Sequence, residues 1–143
     1  MERGDVNPDQ ADTEHGCTPL LVAAIGGHEE VVKMLLERGD VNPNTADTNY
    51  GQTALSLAAA GGHEGVVKVL LERDNVNPNM ADSKYGQTPL SWAAESGHEG
   101  VVRMLLERGD VSPDLADTEN GQTPLLLAAL GGHEGVVGTF RAR

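Results

Sequence analysis

Two kinds of apolar block alternate along the chain. One is short, as in Leu55-Ser56-Leu57-Ala58-Ala59-Ala60; the other carries a wide apolar stripe, as in Val66-Val67-Lys68-Val69-Leu70-Leu71. Each is expected to be a helix, the second with a broad buried face. The pair recurs at a fixed step: Gly16, Gly51, Gly86 and Gly121 are 35 residues apart, and Thr18, Thr53, Thr88, Thr123 and His28, His63, His98, His133 keep the same step. A fixed period in this range marks a stack of repeated units rather than one closed core.

The punctuation between blocks places the helix ends. Thr53 is suited to an N-cap, and Pro19, Pro89 and Pro124 stand where a first helical residue tolerates a missing N–H; Ala54 takes that place in the second unit. The first helix of that unit is expected from Leu55 to Ala60, stopped by Gly61-Gly62, and the second from His63 to Arg73. Glu64 in the first turn and Arg73 in the last would favour the helix dipole. Gly4, Gly39 and Gly109, with Asp74 in the equivalent place, are expected to take a left-handed conformation after the second helix. Asn77-Pro78-Asn79 cannot continue a helix, and Ala81 to Gly86 reads as an extended loop or hairpin.

The units are cut at 11–45, 46–80, 81–115 and 116–143, the last truncated or capping, with a partial unit at 1–10. Small Ala-Ala pairs in the first helices and bulky Val and Leu in the second predict a curved stack with first helices on the concave side. The last helix has Gly138 in place of Lys or Arg and Arg141 in place of Leu, the pattern of a polar C-terminal cap. No such cap is evident at the N-terminal side, where end-to-end association or fraying is expected.

Thr-Pro-Leu followed by Ala-Ala, then Gly-His-Glu, Val-Val and Leu-Leu, in register over essentially the whole chain, resembles the ankyrin repeat. The resemblance implies an all-α solenoid of helix-turn-helix units joined by hairpin-like loops. It also implies a scaffold that binds a protein partner through its concave face. The Val-Asn-Pro-Asn loop and the Leu-Ser-Trp-Ala-Ala block resemble the arrays of many fungal proteins, often the sensor portion of larger nucleotide-binding signalling receptors. Two features depart from the family. The period is 35 rather than about 33, which lengthens the loop and would enlarge or loosen the binding surface. The His usual after Thr-Pro-Leu is replaced by Leu21, Ser56, Ser91 and Leu126.

Charge narrows the partner. The formal net charge is −12, against a phosphate-tracking surface and against anionic membranes. It fits a solvated acidic surface or an attraction for basic partners. The single cysteine, Cys17, stands where other units have Gln52, Gln87 and Gln122, so it is expected at an exposed position with no disulfide. With no leader and no apolar run long enough to span a membrane, a cytoplasmic location is expected.

Candidate chemistry is thin. His28-Glu29-Glu30-Val31-Val32 lacks the second His of a zinc site, and one His per unit predicts a structural role, fixing the turn between helices. Asp40, Asn42 and Asn44 alternate like calcium ligands, but Thr45 and Gly51 stand where Gly and Glu are needed; local Asx turns explain them better. No phosphate loop or nucleophile elbow is present, so neither an enzyme nor a cofactor is expected.

What remains is recognition. In so regular a frame, the positions that vary are the informative ones. They fall at the loop tips and after the Ala-Ala pairs: His15, Asn49, Tyr50, Lys84, Tyr85, Glu119 and Asn120 at the tips, and Glu95 after the pair. In the ankyrin family such positions lie on or beside the concave face, and tyrosines are favoured anchors. Trp92 replaces Val22, Leu57 and Leu127 and is expected to pack in the core. The alternative is a structural spacer or self-associating array without a dedicated ligand.

Overall fold

The computed structural model describes residues 6–142. Among them are eight helices: α1 (Pro19–Gly26), α2 (Glu29–Leu36), α3 (Ala54–Gly61), α4 (Glu64–Leu71), α5 (Pro89–Ser96), α6 (Glu99–Glu107), α7 (Pro124–Leu130) and α8 (Glu134–Arg141). The partial unit expected at 1–10 is described only from residue 6, and Gly4 lies outside the described residues. No strand occurs among the described residues, so the chain is an all-α solenoid.

Each helix is too short to persist alone in water, so stacking must supply its stability. Odd-numbered helices stack on one another as an inner layer, and even-numbered helices form an outer layer. The inner layer packs the more closely, because Ala58, Ala59, Ala93 and Ala94 are fully buried and let backbones approach. Leu55, Leu70, Leu90, Val101 and Leu105 continue the same core along the stack.

The inner helices begin and end as the punctuation predicts. The Leu21, Ser56, Ser91 and Leu126 N–H groups donate to the Oγ1 atoms of Thr18, Thr53, Thr88 and Thr123. Gly27, Gly62 and Gly97 close α1, α3 and α5 in the left-handed conformation. Gly62 is needed twice over: its φ is 72°, and an added Cβ would stand 2.6 Å from the His98 ring.

Several expectations about the outer helices change. In the second unit α4 stops at Leu71, two residues before Arg73. Gly39, Gly109 and Asp74 do not have positive φ. The outer helices instead leave through residues in ordinary conformations, Glu37, Glu72 and Arg108. The histidines do more than fix the local turn. Three of them reach back one unit and hold the end of the preceding inner helix: His63 Nε2 lies 3.0 Å from Ile25 O, His98 Nε2 3.0 Å from Ala60 O, and His133 Nε2 2.8 Å from Glu95 O. Since a carbonyl only accepts, Nε2 carries the proton in each.

The loops are tied across units as well. Asn42 and Asn77 make the expected Asx turns, accepting from the N–H groups of Asn44 and Asn79. Asn44 and Asn79 then bridge to the next unit: Asn44 donates to Asn75 O and accepts from Asn77 N–H, and Asn79 donates to Asp110 O and accepts from Ser112 N–H. Arg108 donates from Nη1 to Leu71 O at the end of α4 and pairs with Asp110.

The C-terminal end is polar only in part. Arg141 is exposed on α8 as expected, but Leu125 and Leu126 of α7 are 41% and 45% exposed. Their counterparts Leu20, Leu21, Leu55 and Leu90 are buried, because in those units a following unit covers them. At the other end Val22, Val31 and Met34 are exposed.

Candidate partner-binding groove

The loop tips and the inner helices border a groove along one side of the stack. Its shape begins with an aspartate in each loop. Asp82, 3% exposed, accepts from the N–H groups of Tyr85, Gly86 and Gln87, which curls the tip around one carboxylate. Asp47 does the same for Asn49, Tyr50 and Gln52, and Asp117 for Asn120 and Gln122. Charge-assisted bonds of this kind are stronger than neutral ones. Asp12 holds the first tip through His15 and Cys17 N–H, but it is exposed. The His15 N–H in first place holds its carboxyl below the usual range, against a smaller opposing effect of burial.

The second, third and fourth tips are also joined through the main chain. Ser83 N–H donates to Tyr50 O at 2.8 Å, and Thr118 N–H to Tyr85 O at 3.0 Å. The longer loop is therefore not looser at these tips. It presents them as a connected row.

The candidate residues fall along that row. Tyr50, Lys84 and Tyr85 come together: Lys84 Nζ lies 4.6 Å from the centre of the Tyr50 ring and 5.3 Å from that of Tyr85. His15, Asn49 and Tyr50 border a hollow of about 320 Å³ whose floor is Val22, Ile25 and Leu57. Glu95, Glu119 and Asn120 border another, of about 310 Å³, with Tyr85 and Trp92. Every candidate thus lies on one of two hollows or on the lysine clamp between them.

Trp92 corrects the core expectation. It is half-buried, in the wall of the second hollow, with its ring edge-on to Tyr85 at 6.0 Å and its Nε1–H donated to Asp82 Oδ2 at 2.9 Å. A buried indole needs an acceptor for its N–H. Here the acceptor is the tip aspartate, so the ring is drawn toward the loop. The aspartates, with Gln87 and Gln122, are the site residues that the sequence reading passed over. The sign was available: Asp12, Asp47, Asp82 and Asp117 keep the 35-residue step, each four residues before a tip glycine.

Cys17 is half-buried rather than exposed, on the border of the first hollow. Burial first, and then the charges of Asp47 and Asp12, push its thiol up, which disfavours a thiolate. Among the described residues, no three His, Cys, Asp or Glu side chains converge as metal ligands. No helix there is long and apolar enough to cross a membrane. A larger hollow of about 590 Å³ lies between α6 and α8, on the opposite layer, where Gly138 leaves the place of a longer side chain empty. It contains none of the candidates.

Comparison with known proteins agrees with the architecture. The family model described as ankyrin repeats (3 copies) matches residues 2–82, 40–117 and 75–140. No curated protein gives a significant match. Ankyrin repeats are in general protein–protein interaction modules. Two helical layers, a repeated Thr cap and Gly stop, and a family match over nearly the whole length lead to one conclusion: the chain belongs to the ankyrin repeat family.

Proposed function

We propose that the chain is a scaffold that binds a protein partner in the groove between its loop tips and inner helices. The observation that carries this is the Tyr50–Lys84–Tyr85 clamp, which joins two hollows where, on a repeated frame of Asp and Gln, stand residues that differ from unit to unit. Framework positions repeat because packing requires them; these are freed from that requirement. Rigid aromatic side chains that are half-exposed bind with little loss of conformational entropy. The test is partner capture from cell extract with the chain and with the Tyr50→Ala/Tyr85→Ala double variant. The variant should lose at least tenfold of the captured partner while melting as the parent does. Undiminished capture would place the binding surface elsewhere.

A second reading is favoured by the ends. Val31 and Met34 at one end, and Leu125 at the other, are exposed, whereas their equivalents inside the stack, Val66, Val69, Val101, Leu55 and Leu90, are buried. Head-to-tail association would cover both. Sedimentation over a hundredfold range of concentration should then show growth beyond a monomer, and Leu125→Glu should abolish it. A monomer throughout removes this reading and leaves the first untouched.

A further inference from the structure

The two hollows are alike in size and differ in the side chains that face solvent, which specifies what a partner must bring. The first offers mainly aliphatic surface, Val22 and Ile25 at 54% and 51% exposure with Leu57, beside Tyr50, His15 and the carboxylates of Asp12 and Asp47; what it lacks are the exposed glutamates of the second. The second offers two aromatic rings, Tyr85 and Trp92, and the carboxylates of Glu95, Asp117 and Glu119, with no Lys, Arg or His in its lining. Glu95 and Glu119 are exposed, and Gln87 donates to Glu95 Oε2 at 3.2 Å. An aromatic wall beside carboxylates attracts a cation on both counts. A planar guanidinium suits it better than an ammonium, since it stacks on a ring and binds a carboxylate through two N–H groups. Between the hollows, Lys84 lies 4.6 Å from the Tyr50 ring centre and 5.3 Å from that of Tyr85, so it repels a second cation at the clamp and leaves Trp92, with Glu95 and Glu119, as the cation seat of the second hollow.

We infer that the groove takes an extended segment of a protein partner with an aliphatic side chain in the first hollow and an arginine in the second. This rests on the interaction-scaffold reading. The spacing follows from the stack. The hollows lie between units one and two and between units three and four, two steps apart. Helices packed 8–10 Å apart put them roughly 20 Å from each other. Extended chain covers that in about six residues at 3.3 Å each. The segment carries no basic side chain at its middle, opposite Lys84. The overall acidity of the chain then assists the encounter, while the specific attraction is local to Glu95, Asp117 and Glu119.

The test uses the peptide acetyl-Leu-Ser-Ala-Ser-Ala-Ser-Arg-amide and its reverse order. Trp92 is the only tryptophan, so its emission reports the second hollow. At least one order should give a saturable change in emission. Replacing Arg by citrulline, which keeps the shape and removes the charge, should weaken binding at least tenfold. The Glu95→Gln/Glu119→Gln variant should weaken the Arg peptide at least tenfold and leave the citrulline peptide unchanged. Equal binding of the Arg and citrulline peptides, or no binding of either order, overturns the inference. Selection from a random displayed peptide library separates this from the reading beneath it. Ligands that need Tyr50 and Tyr85 but carry no basic residue overturn only the inference. Absence of any ligand that needs those tyrosines overturns both.

Discussion

The first and last hollows of the groove are set on the same frame and differ in nearly every side chain that faces solvent. In the first, Tyr50 closes over Val22, Ile25 and Leu57, and the tip aspartate of the preceding loop, Asp12, is exposed. In the second, Tyr85 meets Trp92 and three carboxylates, and the aspartate beneath Tyr85 is buried and shared with the indole. The repeat fixes where a hollow forms; the departures from it fix what the hollow prefers. Stability and specificity are therefore carried mostly by separate sets of residues; Asp117, which holds its tip and lines the second hollow, serves both, and the chief exception is Asp82.

That exception gives the largest effect. Asp82→Ala leaves the N–H groups of Tyr85, Gly86, Gln87 and Trp92 without their acceptor. With each buried unsatisfied donor costing about 1–3 kcal/mol and some recovered by water, a loss of about 3 kcal/mol is expected in urea unfolding. Asp12→Ala, at the exposed tip, should cost far less. Equal losses would mean the two tips are held alike.

Gly97→Ala tests the frame at a residue outside both linings, although the displaced His133 ring also holds Glu95 O. Gly97 has φ 78°, and a Cβ would meet the His133 ring 2.6 Å away. A left-handed alanine and a displaced ring together should cost about 2 kcal/mol, against a negligible change for Gly109→Ala, which has open space and no positive φ. Lys84→Met removes the cation between the two tyrosines. It should cost about 0.5–1 kcal/mol of stability and allow a basic residue at the middle of a bound segment.

The smallest effect is a pH dependence confined to the first tip. Asp12 has its folded pKa lowered, chiefly by the His15 N–H. Its contribution is then present above the unfolded value of about 3.9 and disappears as pH falls through the lower folded value. Protection of the His15 amide against hydrogen exchange, taken relative to its intrinsic rate at each pH, should fall below pH 4. Protection that stays constant down to pH 2 would show that the carboxylate does not hold the tip.

What the sequence made legible is what acts within one unit. Thr18, Thr53 and their equivalents cap the residue three positions on, and Gly27, Gly62 and Gly97 stop the helix they follow, so spacing alone reveals them. The tip candidates were found by the complementary rule, variation against a constant frame, and all of them border the groove. Contacts between units were not legible, because a residue that repeats every 35 positions looks the same whether it bonds inside its unit or to the next. His98 to Ala60 O, Asn79 to Asp110 O and Arg108 to Leu71 O are of this kind. Trp92 was misread for a related reason. Its column is apolar elsewhere, and only the geometry shows that Asp82 offers its N–H a partner.

The groove as the binding surface is tested most directly by amide chemical shifts of the chain titrated with the leucine–arginine peptide. Tyr50, Tyr85, Trp92, Glu95 and Asn120 should shift together with a single affinity, and the outer helices Glu64–Leu71 and Glu99–Glu107 should stay unmoved. Shifts confined to the outer helices or to the exposed ends at Val31 and Leu126 would contradict it.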